Sequence, residues 1–332
     1  MASLGCHPLL ADDSAGGDDE SSEQQKDNPG KAKGKAKEKN KEGSDASSKG
    51  GQPQCKKQAQ KLFNACGHEV LAERWHTQAE CASLADEADR WDCSISSNMF
   101  YQEAKRDCKE TRTLRRETCD ALGDDADAGW SGVDFVDGVS IDGNEFLPLT
   151  AGATSYVTAT TRIEREVTAV VRLVDGRDCL LVTEEERDAD TDLLLERREI
   201  LYAEDVANTL WHCGEYRQQY SVLDEGSDPV VTGVEGSWLA GADGALAGIA
   251  MPAGQPLAGD VFRRALAPGV NEDTATVLDP QGMETSIECG ADCVLLEVSS
   301  PLEPGQSRLE YYHSGTGLVR SETGDRVVEI VP

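Results

Sequence analysis

The sequence predicts an α+β protein in which an N-terminal disulfide-laddered helical hairpin precedes an antiparallel β domain, either a sandwich or a curled, barrel-like sheet. Three observations predict it. Six cysteines, Cys55, Cys66, Cys81, Cys93, Cys108 and Cys119, stand 11, 15, 12, 15 and 11 residues apart, a palindrome centred on residue 87. Helical start and stop signals fill that same stretch, and from residue 146 the pattern changes to short apolar or alternating runs between turn residues.

Residues 1–52 are rich in Asp, Ser, Gly, Gln and Lys and almost free of apolar bulk, so they cannot bury enough surface to offset the entropy of ordering. They read as a disordered tether. Within it Lys31, Lys33, Lys35, Lys37, Lys39 and Lys41 alternate with small or polar residues, a spacer of mixed charge that has the option of lying along anionic headgroups. Cys6 ends the tetrapeptide Ser3-Leu4-Gly5-Cys6, which resembles the bacterial lipobox. Only five residues precede it, without a basic or an apolar signal region, so the reading is a truncated lipoprotein signal whose true start lies upstream. The alternative is an incidental thiol near an ordinary N-terminus.

Residues 53–122 form the hairpin region. Pro53 suits a first helical turn and Gly67 a stop, Glu69 to Glu87 reads as a second helix, and Ser97 is placed to cap a third that runs to Leu122. Eleven helical residues advance about 16 Å and complete three turns plus about 20°, so Cys55 and Cys66 share one face, as do Cys108 and Cys119. Antiparallel helices with matched intervals then join Cys55 to Cys119 and Cys66 to Cys108, while Cys81 to Cys93 closes the far end. The expected core is thin: Leu62, Phe63, Leu71, Trp75, Leu84, Phe100, Tyr101 and Leu114. Staples worth roughly 2–4 kcal/mol each are what would hold such a unit folded.

Residues 123–145 are Asp- and Gly-rich with Trp130, Phe135 and Val139 interspersed, an acidic linker able to dock on the β domain. Residues 146–332 carry strand-like runs at Tyr156–Ile163, Glu166–Val174, Cys179–Glu186, Leu193–Glu204, Thr209–Tyr220, Val230–Trp238, Val261–Leu266, Thr274–Leu278, Thr285–Glu288, Val294–Val298, Ser307–His313 and Arg326–Val331. Runs of this length and number imply an antiparallel sheet curled on itself.

The chain has 32 basic and 62 acidic residues, and residues 124–332 hold 13 of the former against 40 of the latter, with no lysine. Such a surface repels phosphate backbones, so nucleic acid is not an expected partner. Eleven cysteines without a CxxC pair or a Cys/His knuckle argue for an oxidising compartment. No run of 18 apolar residues occurs, which leaves a lipid anchor at Cys6 as the expected membrane attachment.

Several phrases of the β domain carry a resemblance. They are Asn208-Thr209-Leu210-Trp211-His212-Cys213-Gly214-Glu215, Gly236-Ser237-Trp238-Leu239-Ala240-Gly241, Gly248-Ile249-Ala250-Met251-Pro252, Pro301-Leu302-Glu303-Pro304-Gly305 and Glu310-Tyr311-Tyr312-His313-Ser314-Gly315-Thr316-Gly317-Leu318-Val319. Over residues 144–332 the chain resembles a family of exported bacterial β-rich (lipo)proteins with no assigned activity. The resemblance implies a bond between Cys179 and Cys293, which leaves Cys213 to pair with Cys289. The competing scheme joins Cys179 to Cys213 across neighbouring strands and Cys289 to Cys293 across a short turn. The chain departs from the family pattern at His212, Cys213 and His313, where apolar or small residues are usual.

Candidate chemistry is sparse. His212 and His313, with Glu215 or Asp205, would make an acid/base or metal pair, but isolated histidines on strands are more often structural. Ser314 lacks a nucleophile elbow. Asp188, Asp190, Asp192 and Glu199 copy calcium-loop positions, yet Leu193 occupies the position of the invariant glycine, which favours a polar hairpin turn. No catalytic, metal or cofactor site is assigned. The expected function is that of a non-catalytic envelope lipoprotein whose β domain meets a protein or surface partner. The alternatives are a carrier of an apolar ligand or lipid in the curled sheet, and an envelope hydrolase.

Overall fold

A computed structural model describes residues 54–123, 129–136, 141–223, 227–281 and 292–331. Cys6, the tether, Cys289 and the strand expected at Thr285–Glu288 lie outside them. Two helices, not three, form the hairpin: α1 (Gln54–Ser83) and α2 (Glu87–Leu122). Gly67 does not stop α1, because a glycine inside a helix costs only about 1 kcal/mol and the disulfide at Cys66 pins the neighbouring turn. Nor does Ser97 cap a helix. It is buried within α2, whose N-cap is Asp86, with Oδ1 accepting from the amides of Ala88 at 2.8 Å and Asp89 at 3.1 Å.

The ladder joins Cys55 to Cys119, Cys66 to Cys108 and Cys81 to Cys93, with Cα separations of 5.9, 5.9 and 5.5 Å, all within disulfide reach. The hairpin core differs from the expected one. Trp75, Leu84 and Phe100 are exposed, and the buried residues are mostly the cysteines themselves with Ala59, Ser97 and Leu122. Two helices have only one shared face, and the cysteines occupy it.

The β domain contains fifteen strands among the described residues: β1 (Gly152–Val157), β2 (Thr161–Val174), β3 (Arg177–Asp188), β4 (Leu194–Glu204), β5 (Leu210–Ser221), β6 (Val230–Gly233), β7 (Trp238–Leu239), β8 (Leu246–Met251), β9 (Val261–Arg263), β10 (Ala265–Leu266), β11 (Thr274–Asp279), β12 (Cys293–Ser299), β13 (Ser307–His313), β14 (Gly317–Thr323) and β15 (Arg326–Ile330). All pairings are antiparallel, and the sheet is nearly closed into a barrel. Strands β1 to β5 form one meander and β11 to β15 another, and β1 pairs with β15 through Tyr156 and Ile330.

The remaining gap is bridged by a single bent segment. β9 pairs with β11 and β10 with β8, so residues 261–266 touch both free edges with Arg264 at the corner. The corner fits because position 248 on β8 is glycine: a Cβ there would stand 2.4 Å from the Arg264 carbonyl. Strands β8 and β14 have no counterpart among the sequence-derived runs, because Ala- and Gly-rich or Thr/Gly-interrupted segments carry little strand signal.

Two apolar clusters form on opposite faces of the sheet. The inner one includes Phe146, Leu180, Val182, Leu210, Met251, Val277 and Leu296. The outer one lies over β3, β4, β5, β8 and β10 and is covered by residues 129–136, where Trp130 packs edge-on against Phe135 with ring centroids 5.6 Å apart. The segment expected to be a docking linker does dock here: the amide of Val136 donates to the Glu204 carbonyl at 3.0 Å and the Trp130 indole to Asp175 at 3.1 Å.

Within the outer cluster Cys179 bonds to Cys213, Cα to Cα 6.6 Å, which corrects the pairings Cys179–Cys293 and Cys213–Cys289. β12 lies away from β3, with β2, β1, β15, β14 and β13 between them in the sheet, so Cys293 cannot reach Cys179. Both bonded residues belong to the outer cluster. Cys293 is itself disulfide-bonded, to a partner outside the described residues.

The base of the hairpin stands on the barrel. Arg115 of α2 grips Glu272 through two hydrogen bonds of 2.7 Å, and Glu272 is only 2% exposed and also accepts from the Gly269 amide at 2.8 Å. Multiple disulfides place the protein in an oxidising, extracytoplasmic compartment. Among the described residues no helix is long and apolar enough to cross a membrane.

Candidate functional site

Strand alternation builds the barrel lumen in two halves. On β3, Leu180, Val182, Glu184 and Glu186 all point inward because side chains repeat with a period of two. On β4 the inward set is Glu196, Arg198, Ile200 and Tyr202. One half of the lumen is therefore apolar and filled by the inner cluster, and the other is charged and open. Asn144 fixes the filled half. Its amide donates to the carbonyls of Asn208 at 2.8 Å and Pro252 at 3.0 Å, while its Oδ1 accepts from the Leu147 amide at 2.9 Å.

The open half is a cavity of about 480 Å³, within the range of small-molecule sites. Among the described residues six arginines and six carboxylates line it. Arg198 pairs with Glu184 at 2.5 Å and Glu196 at 3.3 Å, Arg217 with Glu196 at 3.1 Å, and Arg326 with Glu186 at 2.7 Å. Across the lumen Glu310 receives Arg308 at 2.6 Å, the Tyr312 hydroxyl at 2.8 Å and Arg264, the closing corner.

Burial would raise the Glu310 carboxyl, but Arg264, Arg308 and the hydrogen bonds outweigh it and hold the group at about 2. Glu215 is different. Burial raises its carboxyl despite Arg198 and Arg217 nearby. Asp273 is raised by burial in the same way, against Arg308 and Arg264.

His212 faces this cavity, stacked on Tyr202 at 5.6 Å and edge-on to Trp238 at 4.9 Å. Burial, reinforced by Arg264, pushes its imidazole down to about 3, so it is neutral, and its Nε2 is buried without a hydrogen-bond partner among the described residues. His313 is not part of the cavity lining; it sits at the end of β13 with Nδ1 2.7 Å from the Ser314 carbonyl. The two histidines thus do not share a site. Glu215 lines the lumen, but Asp205 is structural, accepting from the Trp211 indole at 3.0 Å and from the amides of Ala207 and Thr209. Asp188, Asp190 and Asp192 form the polar β3–β4 turn, where Asp188 Oδ1 accepts from the Thr191 amide at 2.8 Å and hydroxyl at 2.7 Å. Among the described residues no group of His, Cys, Asp or Glu is placed to hold a metal.

The lumen arginines and glutamates were not legible as a site in the sequence, although one signal was available. On β3 and β4, every second residue changes from apolar to charged along the strand, which marks an interior that turns from packed to wet. Compared with family models, curated proteins and solved structures, the chain has no match.

Proposed function

We propose that the protein is a non-catalytic binding protein of the cell envelope, anchored through a lipid on Cys6 and spaced from the membrane by its tether and stapled hairpin. Its barrel takes a small polar ligand in the lumen. One observation carries this reading: an open cavity of about 480 Å³ walled by ion-paired charges, above a floor of tightly packed side chains. A carrier of an apolar ligand needs apolar walls around its free volume. Here the apolar half is filled and the free half is lined mainly by charged and polar side chains with a few aliphatic ones, which supports a polar ligand over a lipid. Buried, mutually held charges are pre-organised to orient a polar group without reorganisation.

The test is a thermal-shift screen of purified full-length protein against small acids, amides and amines, with fatty acids alongside. A rise in Tm with polar compounds alone is the expected result. Release of lipid on organic extraction, or stabilisation by fatty acids only, would overturn it. Intact mass of the envelope-derived protein checks the anchor: an acylated Cys6 is expected, and a free Cys6 thiol would remove that part.

A second reading rests on the hairpin, where Trp75, Trp91, Met99 and Phe100 are 60–70% exposed. That is apolar surface of the kind a protein partner covers. Replacing Trp91 and Met99 by serine would abolish such an association while leaving lumen binding intact.

A further inference from the structure

We propose that the lumen ligand is a small monocarboxylate, seated on Arg165 where the charged wall meets the packed floor. The inference rests on the reading that the lumen takes a polar ligand.

Among the described residues, Arg165 is the one lumen arginine without a close carboxylate. The other five each have an acid within 3.1 Å. Arg165 is 8% exposed, its nearest acid Glu184 is 3.8 Å away, and that acid is already held by Arg198 at 2.5 Å. Its Nη2 is buried with no hydrogen-bond partner among the described residues. A buried guanidinium so poorly paired costs stability, and a bound carboxylate would supply the missing acceptor in the two-pronged geometry that guanidinium favours.

The groups around Arg165 are phenols. Tyr202, Tyr156 and Tyr312 act on it electrostatically alongside Glu184, and Tyr156 shares a side-chain hydrogen bond with it. Burial raises all three phenols, so they stay protonated, and neutral phenols leave the charge of the guanidinium unanswered. His212, stacked on Tyr202, is neutral and adds no positive charge. With six arginines against six carboxylates, the lumen has no large positive excess to receive a dianion such as phosphate. One under-paired guanidinium matches one carboxylate. Leu147 and Ile200 in the same lining give the rest of the ligand compact apolar surface.

The test is calorimetric titration of the full chain with propionate and benzoate, their neutral amides, the corresponding amines, and inorganic phosphate. A carboxylate is expected to bind at least about tenfold more tightly than its amide, and Arg165→Gln to lose that preference. Tyr202→Phe, which keeps the ring stack, should weaken carboxylate binding by about threefold through altered polarity beside the guanidinium. Arg187→Gln, in an ion pair on the outside of the barrel, should bind like the parent. Near-UV circular dichroism checks folding, and if Arg165→Gln fails to fold the Tyr202→Phe titration decides. Amides, amines or phosphate binding as tightly as carboxylates, or unchanged carboxylate binding in the decisive variant, would overturn the carboxylate assignment and leave the lumen reading standing. Failure of every probe would overturn both.

Discussion

The hairpin and the barrel are held together by opposite means. In the hairpin the shared face is occupied largely by cysteines, and its large apolar side chains Trp75, Trp91 and Phe100 are exposed. In the barrel two apolar clusters pack on either face of one sheet, and the described disulfide Cys179–Cys213 lies inside a core that is already buried. Covalent constraint acts mainly by restricting the unfolded chain, whereas burial acts on the folded one. The two regions should therefore fail under different stresses.

The largest effect is expected from reduction. Breaking the three hairpin disulfides removes staples worth roughly 2–4 kcal/mol each, more than two helices with so little buried surface can supply. The far-UV helical signal should collapse while the near-UV signal of buried Trp130, Trp211 and Trp238 persists. Simultaneous loss of both signals would show that the barrel depends on the hairpin. Next comes Leu296→Ala in the inner cluster, expected to cost about 2–5 kcal/mol in urea unfolding followed by tryptophan emission, with the hairpin helices unaffected under oxidising conditions.

The most gradual effect, small within any one pH unit, is a pH slope confined to the barrel. His212 is held at about 3 against an ordinary 6.5, so its contribution is complete above pH 6.5 and is lost as pH falls through that window toward 3. Over it the unfolded chain binds a proton that the folded one excludes, and the His212 contribution should fall by at most about 1.4 kcal/mol per pH unit, opposed by Glu215 and Asp273, whose raised carboxyls take up protons earlier in the folded state. His212→Phe should flatten the slope in urea midpoints between pH 6 and 4.5, and an unchanged slope would assign it elsewhere. The Glu310 carboxyl, held at about 2 against 4.5, contributes above pH 4.5 and adds a second loss only below it.

The same contrast explains what the sequence discloses. The cysteine ladder was legible because helical geometry ties spacing to facing, and a palindrome admits a simple antiparallel register. The helix boundaries were less so: Gly67 and Ser97 carry local stop and cap signals that the packing of a stapled pair overrides. Most strands were legible from alternation, but the Cys179–Cys213 bond depended on which strands the closed sheet brings together. The lumen site was obscured for another reason. Glu184-Glu185-Glu186-Arg187 and Glu196-Arg197-Arg198 read as solvated charge, and only register shows that Glu184, Glu186, Glu196 and Arg198 turn inward while Glu185 and Arg197 do not.

The pairing of β1 with β15 imposes an order on biogenesis. The barrel's first seam joins Tyr156 to Ile330, so it cannot be sewn until residue 330 has been synthesised and exported. Every hairpin disulfide, by contrast, lies within a span of 64 residues and can be oxidised while the barrel strands are still emerging. Long-range closure is slow, and strand edges stay open to wrong partners until it is complete. The oxidised hairpin would then be a finished base attached to an unfinished barrel, with the arrival of β15 setting the moment at which the lumen comes into existence.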